Sequence, residues 1–254
     1  MLGPRVAKIG GNELDRPGWL EECARALKLA HPLVVVHGGG KAITAWSRRL
    51  DLPVEKHDGK RVTTPQVAEI VEMVLAGPVN RQVVAALRAA GVDAVGLSGV
   101  DGGLLAARRA AGNLGAVGEI TAVRAELLQS LLLAGLTPVL APIAPDPDVE
   151  GVPLNINADD AASAVAAALG ASELLFVSDI PGVAVGDVAQ PEIAVTEIEG
   201  LIAAGIASDG MAAKLRAAAA ALRGGARLVR IGDLELFRNP AAGTRIVSVV
   251  TQPA

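Results

Sequence analysis

An α/β fold, with a mostly parallel sheet covered by helices on both faces, is what this sequence predicts on three observations. Short apolar runs of strand length alternate with helix-like segments along most of the chain. Apolar residues make up 51% of 254 positions, enough for a sizeable core. Aromatics make up only 2% and tyrosine is absent, so the core is built from Ala, Val, Leu and Ile, which suit buried parallel strands.

Each element follows from local chemistry. Arg5–Ile9 opens as a strand. Pro17–Ala30 reads as a helix, because Trp19, Cys23 and Leu27 recur four apart on one face, with Asp15 placed to cap it. Leu33–His37 is a strand running into Gly38-Gly39-Gly40, and Ala42–Leu50 is the next helix. Lys56–Thr64 is polar and turn-rich, a hairpin or a lid. Pro65–Ala76 and Val79–Ala90 are helices broken at Gly77-Pro78. Asp93–Ser98 is a strand, and the glycine-rich Arg108–Thr121 suits short antiparallel strands. Leu127–Pro145 carries no charge and approaches membrane-spanning length, but Gly135, Pro138 and Pro142 interrupt it. It reads instead as helix Glu126–Ala134, a Gly135 cap and the buried strand Thr137–Ala141. Helices Asp159–Leu169, Thr196–Ala204 and Met211–Arg223, with strands Glu173–Val177, Arg227–Ile231 and Thr244–Val250, complete the pattern. No repeat or low-complexity linker stands out, and a lobe boundary is expected near residue 170. Ligands of such sheets bind beyond the carboxyl ends of the strands.

Charge narrows the class of partner. The net charge of −4 and the absence of a basic stripe argue against a nucleic acid. Few aromatics argue against a base-stacking platform. The one cysteine, Cys23, cannot form an intramolecular disulfide, which fits a reducing compartment. No long apolar stretch precedes Lys8, so a cytoplasmic protein without a membrane partner is expected.

Four clusters can carry chemistry. Val34-Val35-Val36-His37-Gly38-Gly39-Gly40-Lys41 takes a buried strand through three glycines into a helix. Glycines let a backbone approach an anion, and a helix start offers unpaired N–H groups with about half a positive charge. That reads as an anion cradle, although a flexible turn would look similar, and Ala42 after Lys41 rules out a Walker A loop. His37 itself reads as the end of its strand. Lys8-Ile9-Gly10-Gly11 places a lysine inside an apolar strand, where either a buried partner or an edge position accounts for it. Asn155-Ile156-Asn157-Ala158-Asp159-Asp160 precedes an Ala-rich helix. Helix capping explains these residues, yet an extended backbone would put Asn155, Asn157 and Asp159 on one side. Ser208-Asp209-Gly210-Met211 leads to Lys214, with Asp209 as a possible cap and Lys214 an ordinary helical lysine by itself. Arg61 sits in a polar segment, where a surface position and a carboxylate-binding fork are both open.

Taken in order, these clusters resemble the acetylglutamate kinase branch of the amino-acid kinases. Gly59-Lys60-Arg61-Val62-Thr63, Ser178-Asp179 with Pro181-Gly182, and Gly243-Thr244-Arg245-Ile246 extend the likeness over nearly the whole chain. The resemblance implies a three-layer α/β/α sandwich around a mainly parallel sheet. Residues 1–170 would form a lobe for the acyl amino acid and dimerisation, and residues 171–254 a lobe for ATP. The implied reaction converts N-acetyl-L-glutamate and ATP into N-acetyl-L-glutamyl 5-phosphate and ADP, the second step of arginine biosynthesis by the acetylated route.

Roles carry over by motif. Lys8 and Lys214 would flank the moving phosphoryl group, and Asp159 would orient them. Gly39 and Gly40 would offer N–H groups to the substrate's reacting end, and Gly10 and Gly11 would approach the phosphates. Arg61 would bind the α-carboxylate and Asn155 the acetylamino acid. Asp179, Ile180, Pro181, Gly182, Val183 and Ala184, with Ile206, Ala207 and Ser208, would line the nucleotide. Mg²⁺ would arrive on ATP, and no protein metal ligand is assigned. The electrostatics suit this: two unit charges 4 Å apart repel by roughly 4 kcal/mol at an effective dielectric of 20, and fixed cations and N–H groups offset that. The chain starts close to Lys8, without the extra helix of arginine-inhibited hexamers, so a homodimer without arginine feedback is expected.

Two rivals stay open at this level. A related kinase of carrier-linked aminoadipate shares Glu72-Met73-Val74 and Gly96-Leu97-Ser98-Gly99 with Asp101-Gly102. Gly40 and the Gly59–Thr63 run favour the free acetylated acid, and the net charge of −4 does not call for an acidic carrier. A silent sensor on the same fold is the other, and the retention of both Lys8 and Lys214 weighs against it.

Overall fold

The apolar runs Arg5–Ile9, Leu33–His37, Thr137–Ala141 and Glu173–Val177 become the middle of one eight-stranded sheet. The computed structural model describes residues 3–10, 13–57, 59–186 and 188–248, apart from the side chain of Asp209. The first half comprises β1 (Arg5–Ile9), α1 (Trp19–Leu27), β2 (Leu33–His37), α2 (Gly40–Arg49), β3 (Lys56–His57), β4 (Lys60–Arg61), α3 (Pro65–Val74), α4 (Asn80–Ala89), β5 (Ala94–Ser98), β6 (Leu105–Arg109) and β7 (Val117–Val123). Then come α5 (Ala125–Leu133), β8 (Thr137–Ala141), β9 (Ile143–Pro145), β10 (Pro153–Ile156), α6 (Ala158–Ala168), β11 (Glu173–Val177), β12 (Ala184–Val185) and β13 (Val188–Ala189). The chain finishes with β14 (Glu192–Ala194), α7 (Ile198–Ala203), α8 (Asp209–Arg223), β15 (Val229–Gly232) and β16 (Thr244–Val247).

The main sheet runs β14-β16-β15-β11-β1-β2-β8-β5, parallel throughout except at the β15–β16 pair. It crosses residue 170 without interruption, since β11 pairs with β1 on one side and β15 on the other. A second sheet, β6-β7-β10-β9, contains the antiparallel pair expected around Arg108–Thr121. Lys56–Thr64 resolves as a hairpin, with β3 antiparallel to β4.

Strand alternation splits the core into two layers. Val6, Val34, Val36, Leu174 and Phe176 pack with α6 and α8 on one face. Ala7, Ile9, Leu33, Val35, Leu175 and Val177 pack with α1, α3 and α4 on the other. Lys8 therefore belongs to the α6–α8 face, and His37, two residues beyond Val35, to the α3–α4 face.

Some local expectations are corrected. Asp15 does not cap α1; the cap position is Gly18, in the left-handed region at φ 76° without a side-chain cap. The N-cap of α8 is Ser208 rather than Asp209. Gly135 ends α5 with a positive φ of 78°, as expected. The break at Gly77-Pro78 is a π-helical turn, Leu75–Val79, in which Gly77 leaves helical geometry. Leu127–Pro145 divides into α5 and β8 as read, followed by the unforeseen short strand β9, whereas among the described residues Pro65–Ala89 is long and apolar enough to cross a membrane.

Candidate active site

Loops beyond the carboxyl ends of β1, β2, β8 and β11 surround a cleft of about 370 Å³. Gly10, Gly38–Gly40, Pro142, Ser178 and Asp179 come from those loops, as the general rule for open α/β sheets requires. On one side of it a buried ion cluster forms. Lys8 leaves β1 between Val36 and Phe176 on the face covered by α6 and α8. Asn157 caps α6, its Oδ1 accepting from the N–H groups of Asp159 at 2.8 Å and Asp160 at 3.2 Å. That cap sets Asp159 in the first helical turn, rather than on an extended run with Asn155. Asp159 Oδ1 lies 2.9 Å from Lys8 Nζ and 3.5 Å from Lys214 Nζ. Lys214, in the second turn of α8, also stands 5.3 Å from the centre of the Phe176 ring.

Lys8, Asp159 and Lys214 are each no more than 8% exposed, and Glu13, a second buried carboxylate, lines the same cleft. Burial pushes the Asp159 pKa up, but Lys8 and then Lys214 more than reverse this and hold it below the ordinary value. Burial and the neighbouring Lys8 pull Lys214 down to about 8, with Asp159 only partly countering. An incoming anion would add to the support that Asp159 and the buried Glu13 give the Lys214 charge.

α2 and the β3–β4 hairpin also line the cleft. Arg61, read as open between surface and site, is buried and lines the cleft. Its Nη2 donates to the Gly40 carbonyl at 3.0 Å and to Thr44 Oγ1 at 2.6 Å, and its buried Nη1 has no partner. Asn155 lines the cleft as well and donates to Thr63 Oγ1 at 3.1 Å; Thr63 in turn donates to the Arg61 carbonyl at 2.9 Å. Gly39 and Gly40 line the cleft, and among the described residues no backbone carbonyl accepts from either N–H. A side chain at Gly39 would run into Leu75.

The expected nucleotide residues divide. Asp179 lines the cleft, while Val183 and Ala207 are buried in the core, and the Val183 N–H is bound to Thr244 Oγ1 at 2.7 Å. Ile180, Pro181, Gly182 and Ala184 continue the chain from Asp179 beyond β11, and Ile206 and Ser208 lead into α8 without lining the main cleft. Gly10 is in the cleft, and Gly11 lies outside the described residues. Glu13, Lys56 and Lys60 also line it, and none of them was assigned a role from the sequence. The two lysines had a signal, since they bracket the polar hairpin; Glu13 had none. Among the described residues no group of three His, Cys, Asp or Glu is arranged to hold a metal ion.

Residues 4–233 match the amino acid kinase family. The chain is 48% identical over 233 residues to an acetylglutamate kinase of Chloroflexus aurantiacus, covering 90% of this chain and 91% of that one. It is 48% identical over 248 residues to an acetylglutamate kinase of Roseiflexus sp., covering 96% and 93%. Among solved structures, smu.665 from Streptococcus mutans superposes with a TM-score of 0.84 at 30% identity, over 97% of this chain and 99% of that one. The chain belongs to the amino acid kinase family and, within it, to the acetylglutamate kinases.

Proposed function

We propose that this chain transfers the γ-phosphoryl group of ATP to the side-chain carboxylate of N-acetyl-L-glutamate, giving N-acetyl-L-glutamyl 5-phosphate and ADP in arginine biosynthesis. The observation that carries the reading is the Lys8–Asp159–Lys214 cluster sharing a cleft with the Gly39 and Gly40 N–H groups. The nucleophile is already an anion, so the site needs no general base. It needs fixed positive charge where two anions meet, which phosphoryl transfer exploits most. In this reading Lys8 and Lys214 stabilise the equatorial oxygens of the moving group, and Asp159 holds both ammonium groups in place. Arg61, with an unpartnered buried Nη1, receives the α-carboxylate, and Asn155 holds the acetylamino group.

Mg²⁺ bound to ATP supplies further neutralisation of the phosphates. The donor set fits an ion borne by the nucleotide rather than caged by protein: among the described residues no three acidic, His or Cys groups gather to hold one, and Asp159 is committed to two lysines. Residues 1–170 would serve the acyl amino acid and residues 171–254 the nucleotide. A cytoplasmic homodimer belongs to the same reading; Met73 on α3 and Leu133 on α5 are large exposed apolar side chains available to an interface.

The test is ADP release with Mg-ATP and, in parallel, N-acetyl-L-glutamate, N-acetyl-L-aminoadipate and L-glutamate. Release with acetylglutamate alone is expected. Silence with all three would sink the reading and favour the carrier-linked kinase or the sensor. Light scattering should give twice the chain mass of 25.6 kDa; a monomer would remove the dimer from the proposal.

A further inference from the structure

His37 is fully buried at the end of β2, on the side of the sheet opposite Lys8. Its Nδ1 lies 2.9 Å from the Gly38 carbonyl oxygen and its Nε2 lies 3.1 Å from Asn80 Nδ2. Asn80, also buried, donates from the same nitrogen to the Val139 carbonyl at 2.9 Å. An amide nitrogen only donates, so His37 Nε2 must be the lone-pair side and Nδ1 must carry the proton. Turning the amide over would set its oxygen against two acceptors, so chemistry fixes both the amide and the tautomer. Burial also pushes the His37 pKa down to about 4, against a smaller opposing effect of the Gly38 bond, and the ring stays neutral.

That bond has a consequence for the cleft. In a planar trans peptide the carbonyl and the following N–H point in opposite directions. Holding the Gly38 oxygen on the α3–α4 side turns the Gly39 N–H toward the side where Lys8, Asp159 and Lys214 stand. The opposite peptide orientation would aim a carbonyl dipole at the phosphoryl oxygens. The irregular turn between α3 and α4 supplies both supports, since Leu75 and Val79 pack against Gly39 and Asn80 follows at once. We propose that His37 and Asn80 are positioning residues: through the Gly38 carbonyl they set the plane of the Gly38–Gly39 peptide and keep the Gly39 N–H aimed at the transferring group. The role rests on the phosphoryl-transfer reading; the hydrogen-bond pattern does not.

Two measurements test it. The chain has three histidines, so ¹⁵N-histidine NMR of the wild-type protein isolates His37 readily. A neutral ring protonated at Nδ1 near pH 7 is expected; an Nε2-protonated ring or an imidazolium overturns the proposal. This readout needs no turnover and no variant, so it stands apart from any failure to phosphorylate acetylglutamate. The second compares His37→Asn with His37→Gln. The Asn amide nitrogen takes the place of Nδ1 and still donates to Gly38; the Gln amide nitrogen reaches the place of Nε2 and does not. The kcat of His37→Gln should fall on the order of tenfold below that of His37→Asn, with Michaelis constants within about threefold. The smaller Asn should nonetheless be the less heat-stable. Equal kcat values, or kcat values that follow thermal stability, overturn the role; should either variant fail to fold, the tautomer decides.

Discussion

Lys214 is where charge and function conflict most openly at the level of single residues. Its folded-state pKa of about 8 lies below the ordinary 10.5, so carrying the charge costs folding free energy at neutral pH. The cost is full below about 8, because both states are then protonated, and it fades as pH rises toward 10.5. Lys214→Met should therefore hold or raise the urea midpoint near pH 7, with its advantage shrinking toward pH 10. A midpoint lowered at neutral pH would contradict the assignment. The same substitution should reduce kcat by a few hundredfold, about 3 kcal/mol of lost transition-state stabilisation. Asp159→Asn should lower both activity and stability, because it leaves two buried ammonium groups facing each other. Activity carries a pH signature as well. As pH rises through about 8 the free enzyme loses the Lys214 charge, and kcat/KM for ATP should fall; a flat profile to pH 10 would separate Lys214 from the phosphates.

Elements act here as supports for short loops. The helical break Leu75–Val79 places Leu75 under Gly39, so the glycine loop and the α3–α4 turn form one unit. Gly39→Ala should lose most activity, since its new methyl meets Leu75, and adding Leu75→Ala should return part of it. No recovery in the double variant would mean the loop tolerates no side chain for another reason. The β3–β4 hairpin is tied to β10 in a comparable way. Thr63 donates to the Arg61 carbonyl and accepts from Asn155, so one hydroxyl joins both proposed substrate residues. Thr63→Val keeps the shape and removes both bonds, at about 1 kcal/mol each. The Michaelis constant for acetylglutamate should rise about tenfold while that for ATP stays put; an equal change in both would point to general loosening.

Across the whole molecule the two ends of the sheet carry different duties. The carboxyl ends hold the cleft. Toward the amino ends, Arg230 on β15 donates to Glu173 at 2.6 Å and to the carbonyls of Leu236, Asn239 and Ala242 at 2.9–3.1 Å, while Arg5 on β1 approaches Glu173 at 3.6 Å. One buried guanidinium thus ties β11 and β15 to the turn before β16. Arg230→Met leaves the buried Glu173 carboxylate with only the longer Arg5 contact and should cost about 3 kcal/mol in urea unfolding, with kcat in the surviving folded protein unchanged. Adding Glu173→Gln should recover part of that loss. A loss below about 1 kcal/mol would show that the staple contributes little.

The order of strands and helices, the glycine cradle after β2 and the helical break at Gly77-Pro78 were all legible in the sequence by itself. Each is a local matter: alternation, glycine freedom and proline chemistry act over a few residues. The chemical types gathered at the site, two lysines among glycines with an Asn and an Arg, were legible too, because their order resembled a known family. Only the tertiary structure decided which of them meet. Asp159 reaches Lys8 and Lys214 because β1 lies between β11 and β2 and because α6 packs on α8, and no local pattern encodes either fact. Arg61 turned out buried rather than on the surface for the same reason. His37 read as no more than a strand end, since its role depends on Asn80, 43 residues away. Backbone geometry repeats within a segment, and sequence reveals it; side-chain partners are chosen by packing across the fold, after the segments have found their places.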